Sequence, residues 1–86
     1  MTSTTLAAAP LAVPMLLTAT HPDADVARRL ASLGLRRGVR VSLVQKLAGG
    51  GRIVSVNGGR IAVDAGVLTH LVAEPIASAP LAEVDA

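Results

Sequence analysis

The chain has no aromatic residue and no cysteine. The first absence removes the flat side chains on which single-stranded nucleic-acid binders stack bases, each worth about 1–3 kcal/mol. It also means that any core is built from Leu, Val, Ile and Ala. The second absence excludes disulfides, thiolate metal sites and a cysteine nucleophile. For a domain this small, it favours a reducing cytoplasm over secretion. Charge is sparse as well: charged residues make up 16% of the chain and the net charge is +2 at pH 7. The basic residues are scattered, with no run longer than the pairs Arg28–Arg29 and Arg36–Arg37. They read as solvated surface with a lean toward acidic partners. No apolar run is long enough for a membrane helix. Leu6 to Ala19 is nearly all apolar, but a span takes about 20 residues, and Pro10 and Pro14 interrupt this one. No Lys or Arg precedes it, as a signal peptide requires.

With 86 residues there is room for one domain. A chain of this size hides only about 60% of the surface it exposes when unfolded. Hydrophobic residues are 51% of it, enough for a core but not for a deep catalytic cleft as well.

Hydrophobic periodicity divides the chain. Residues 1–12 are rich in Thr, Ala and Pro and are expected to be disordered. Met15 to Thr20 reads as a first strand. Asp23 is placed to cap a helix and Asp25 to favour its first turn. Val26, Leu30 and Leu33 then fall on one helical stripe, and Gly34 ends the helix. After Gly38 the period becomes two: Val39, Val41 and Leu43 share one strand face. Gly49-Gly50-Gly51 is a reversal and Arg52 to Val56 the next strand. Asn57-Gly58 is a hairpin turn, because both of its central residues need positive φ. Ile61 and Val63 alternate on the returning strand. Ala65 to Leu68 forms a turn or a single helical turn, and Leu71 to Ala73 a closing strand ended by Pro75. Residues 76–86 are expected to be a flexible tail. The expected fold class is mainly β: a small barrel of about five strands over residues 13–75, with one short helix inserted after the first strand. Its expected core is Val26, Leu30, Leu33, Val41, Leu43, Ile61, Val63 and Leu71.

Chemistry-bearing residues are few. The only histidines are His21 and His70, and a metal site needs three or four convergent ligands. His21, Asp23 and Asp25 form a local set of N and O donors, with His70 as a distant fourth candidate. The competing role for the two acids is to start the helix. Thr20 and Thr69 each adjoin a His in sequence, but adjacency along the chain does not make a nucleophile–base pair, and no further group is placed to complete one. Gly49-Gly50-Gly51-Arg52 lacks the Lys-Ser/Thr of a phosphate loop and opens a strand instead of a helix. The residues therefore indicate a non-enzymatic module.

The run Leu30-x-x-Leu33-Gly34-Leu35-x-x-Gly38, followed by alternating valines, resembles the FeoA family signature. In that family a helix ends in a Leu-Gly-Leu corner that leads through a turn into a β-meander. Ile61-Ala62-Val63, and its spacing to Leu71, resemble later strands of the same family. Arg37 stands where the family usually has Pro, and Leu68 where a small Ala is common. The resemblance implies an SH3-like barrel acting in the cytoplasm as an accessory to FeoB, the membrane GTPase that carries Fe(II). It implies no required cofactor, weak binding of Fe(II) or another divalent transition metal, and no direct membrane insertion. Together with expected exposure, it points to a partner-binding surface of Arg28, Arg29, Ser32, Leu35, Arg36 and Arg37. Two other readings keep the same barrel. One is a KOW-type domain binding RNA or the ribosome, with Arg36, Arg37, Arg40, Lys46 and Arg52 meeting phosphates. The other is a stand-alone version of the C-terminal domain of iron-dependent repressors.

Overall fold

Period-two alternation marks the chain after Gly38, and the structure follows it. A computed structural model describes residues 3–76. In chain order the elements are β1 (Thr4–Thr5), β2 (Met15–Ala19), helix α1 (Ala24–Ser32), β3 (Arg40–Lys46), a 3-10 turn (Ala48–Gly50), β4 (Arg52–Val56), β5 (Gly59–Val63), the single-turn helix α2 (Ala65–Leu68) and β6 (Val72–Pro75). The six strands form one sheet in the order β1-β6-β2-β3-β4-β5, every neighbouring pair antiparallel. The fold is thus mainly β with one short helix after β2, as the periodicity predicts.

Local chemistry sets the corners. Asn57 and Gly58 sit at φ 52° and 80° and join β4 to β5 with Val56 opposite Gly59, the mirror-image turn that matches strand twist. Register shifts between Leu17 and Ala19, and between Leu43 and Gln45, bend β2 and β3, as bulges do. Arg52, Val54 and Val56 are buried on β4 and alternate with half-buried neighbours, so one face of the strand meets the core.

The largest fully buried side chains include Leu6, Met15, Leu17, Leu35, Leu43 and Leu71. Of the expected core, Leu30, Val41, Leu43, Val63 and Leu71 are buried, and Val26 and Ile61 pack against it half-buried. Leu33 is a correction: it is 52% exposed. Leu33 is the C-cap of α1. Gly34 N–H donates to Ala31 O and Leu35 N–H to Leu30 O, each at 2.9 Å, the paired bonds of a Schellman termination. That motif sets the residue after the glycine against the last inward helical residue. Leu35, at 0% exposure, therefore takes the core position that simple helical spacing assigns to Leu33.

The N-terminal reading is also corrected. Residues 3–12 are part of the fold, not a disordered lead. Thr4 and Thr5 pair with Ala73 and Val72, Leu6 N–H donates to Leu71 O at 2.8 Å, and Leu6 is 0% exposed. The sequence signals miss β1 because two residues are too short for alternation to register. Of the expected tail, residues 77–86 lie outside the described residues, as do residues 1 and 2.

Candidate functional site

Helix α1 begins on Asp23, whose Oδ1 accepts from Asp25 N–H at 2.9 Å and Val26 N–H at 3.2 Å. That cap satisfies two of the amides a helix start leaves open. Asp25 pairs with Arg28 at 3.2 Å, one helical turn on, with both side chains mostly in water. Such a pair is worth well under about 1 kcal/mol. Beyond it the helix shows solvent a face of Arg28, Arg29 and Ser32, beside a groove of about 430 Å³ that these three line with Asp25. Arg36 and Arg37 follow the Gly34 corner, Arg40 opens β3, and all three are exposed.

The charge is less scattered than its spacing suggests. All eight basic residues fall between Asp25 and Asp64, a stretch without a single acid. Among the described residues the only ion pair is Arg28–Asp25. Arg29 in the last turn of α1, Arg36 and Arg37 in its exit loop and Arg40 at the start of β3 thus meet no carboxylate among the described residues. Of the expected partner-binding residues, Arg28, Arg29, Ser32, Arg36 and Arg37 are exposed. Leu35 is not available for contact, because the Schellman bonds turn it into the core.

Arg52 departs furthest from its expected role. It is 8% exposed. Its Nη1 donates to Ala9 O and its Nη2 to Ala7 O, the latter at 2.7 Å. Both acceptors belong to the N-terminal segment, so Arg52 clamps that segment to β4 and cannot meet a phosphate. The signal for this was its alternation: Arg52 shares the inward face of β4 with Val54 and Val56.

The two histidines, far apart in sequence, come together. Their ring centroids lie 4.5 Å apart at 63°, edge to face, because the turn after α2 brings His70 beside the start of α1. The four metal candidates do not converge. Among the described residues no group of three or more His, Cys, Asp and Glu side chains can hold a metal ion. Asp23 is engaged in capping and Asp25 by Arg28. His21 Nδ1 accepts from Asp23 N–H at 3.0 Å, which leaves the neutral ring's proton on Nε2. Binding a metal through Nε2 would move that proton to Nδ1 and break the bond that shapes the helix start. The residues present do not fit a resident metal.

A second depression, of about 420 Å³, is lined by Leu47, Ala48, Gly49, Ala62, Asp64 and Gly66. It offers one carboxylate and otherwise apolar or backbone surface, and no nucleophile–base pair. Among the described residues no helix is long and apolar enough to cross a membrane.

No curated protein sequence matches the chain. Among solved structures, an iron uptake regulatory protein, FeoA, superposes with a TM-score of 0.79 at 19% identity, covering 87% of this chain and 100% of that one. The Stenotrophomonas maltophilia FeoA complexed with zinc gives 0.67 at 29% identity, covering 83% and 89%. The manganese regulator SloR gives 0.73 at 19%, covering 84% of this chain but only 34% of that protein. These likenesses establish the SH3-like fold. The sequence pattern of the FeoA domain family matches residues 4–75, which takes in β1 and the Arg52 clamp as well as the Leu-Gly-Leu corner, and the chain belongs to that family of ferrous iron transport domains.

Proposed function

We propose that this chain is a non-catalytic cytoplasmic adaptor of ferrous-iron uptake that docks on the cytoplasmic part of a FeoB-like membrane GTPase. Family membership supplies the iron-transport context. The observation that carries the docking role is that Arg29, Arg36 and Arg37 are exposed and meet no carboxylate among the described residues. A surface that merely keeps a protein soluble interleaves both signs of charge, whereas eight basic residues and no acid lie between Asp25 and Asp64. The reading gives no metal a part in holding the fold; among the described residues no ligand set is assembled for one. Zinc is bound by the Stenotrophomonas relative. In this chain, binding of Fe(II) or a similar ion would be weak and confined to the region of His21 and His70.

The RNA-binding reading loses one of its five basic residues to the interior, because Arg52 is committed to Ala7 and Ala9. Calorimetric titration of the chain into the purified cytoplasmic domain of FeoB from the same organism tests the adaptor reading. Saturable one-to-one binding is expected. A flat titration, together with sequence-selective binding to RNA or duplex DNA that survives added salt, would replace it with the nucleic-acid reading.

A further inference from the structure

We propose that Leu33, with the arginines around it, is the anchor point for an acidic segment of a partner protein that carries an apolar side chain; this rests on the adaptor reading and specifies the chemistry of the contact. Among the described residues Leu33 is the most exposed of the large apolar side chains, at 52%, against 38% for Leu11 and Leu16. Its exposure is built in. The two Schellman bonds fix the corner, Leu30 and Leu35 on either side are buried, and Gly34 lies against the Asn57 side chain of the β4–β5 turn. A side chain presented on so fixed a backbone loses little freedom when a partner covers it.

The surroundings define what would cover it. Arg29 lies four residues before Leu33, on the same helix face, and Arg36 and Arg37 follow directly after the corner. With Arg40 they are exposed, and none meets a carboxylate among the described residues. Arg29 also lines the groove of Asp25, Arg28 and Ser32 along the helix, in which Asp25 is paired with Arg28. An apolar centre beside unpaired guanidinium groups is the composition of an interface hot spot, where arginine is enriched and the rim excludes water. The missing counter-charge must come from the partner, so its segment is acidic, and Leu33 requires an apolar residue within it. Nucleic acid matches less well. A phosphate backbone gains nothing from an exposed leucine, and the chain has no aromatic residue to stack on bases.

The test follows amide shifts in the full ¹⁵N-labelled chain during titration with a short synthetic peptide of alternating glutamate and leucine. An all-glutamate peptide and a duplex RNA serve as comparisons. Shifts confined to residues 28–40 are expected. Leu33→Ser should weaken them about tenfold or more, while the rest of the spectrum, and hence the fold, stays unchanged. The proposal is overturned by no shifts, by shifts elsewhere, by equal binding of the all-glutamate peptide, or by tighter binding of the RNA at the same residues. Leu33→Ser is also titrated against the FeoB cytoplasmic domain. If wild type and variant bind that domain alike, the anchor is wrong and the adaptor reading stands. If the peptide binds at Leu33 but wild type ignores the FeoB domain, the anchor stands and the adaptor reading fails.

Discussion

Two leucines separated by one glycine have opposite fates, and the difference is measurable. Leu33 is half in water while Leu35 is sealed from it. Truncating a buried leucine loses its transfer energy and leaves a cavity, together about 2–5 kcal/mol, a large part of the roughly 5–15 kcal/mol that holds a domain folded. Leu35→Ala should therefore cost about 2–5 kcal/mol in chemical denaturation and Leu33→Ala less than about 1 kcal/mol. Equal losses would mean that the corner is not a Schellman termination. Arg52 allows a second test at this scale. Arg52→Met keeps the aliphatic stem but leaves the Ala7 and Ala9 carbonyls without their donor, at about 1–3 kcal/mol for a buried polar group left unpaired. Hydrogen exchange should then quicken first at Leu6 and Ala9, whose amides are bonded to Leu71 and Thr5. Unchanged exchange there would show that the clamp does not hold the segment.

At the scale of elements, α1 is short and most of its surface is polar, so its ends matter more than its middle. Asp23 starts it with a side-chain cap and Gly34 stops it. Gly34 sits at φ 97°, and a Cβ added there would lie 2.7 Å from Asn57 Nδ2. Gly34→Ala thus meets both an unfavourable backbone region and a collision with the β4–β5 turn. The flexible amide of Asn57 can yield part of the way, so a loss of about 1–3 kcal/mol is expected. Gly38 also has positive φ, at 95°, but nothing lies within 4 Å of its would-be Cβ. Gly38→Ala should cost less than Gly34→Ala. Thermal unfolding of the two variants makes the comparison, and the reverse order would remove the packing of the helix corner on the hairpin as a cause.

For the whole molecule, the decisive feature is that a core without aromatics is completed from both ends of the chain. Leu6 from the N-terminal segment and Leu71 just before β6 are both fully buried, and burying a leucine contributes about 1.5–3 kcal/mol. No metal is needed in that account, and the two histidines supply too few ligands to add one. The melting temperature should stay the same in excess chelator. Anaerobic Fe(II) should raise it little, because stabilisation grows as RT ln(1 + [L]/Kd) and weak sites give small shifts. Scanning calorimetry decides: unfolding on chelation, or a large Fe(II)-dependent rise abolished by His21→Ala, would make the domain a metal sensor.

Alternation of period two, the Asn57-Gly58 turn, the Asp23 cap and the Gly34 stop were legible in the sequence because each is a short-range effect, decided within a few residues. They were enough to define the β-meander, the helix and the family signature. The exposure of Arg28, Arg29, Arg36 and Arg37 was legible too, since it follows from the same patterns. Tertiary structure alone decided the rest. The pairing of Thr4 and Thr5 with β6 joins segments at opposite ends of the fold, and no local pattern records it. Burial of Leu35 needs, beyond the local Schellman corner, a core for that corner to rest on. The meeting of His21 and His70 required the turn after α2 to pass beside the start of α1. The inward turn of Arg52 was written in the β4 alternation, but only the carbonyls of Ala7 and Ala9, brought there by the N-terminal segment, make a buried guanidinium affordable.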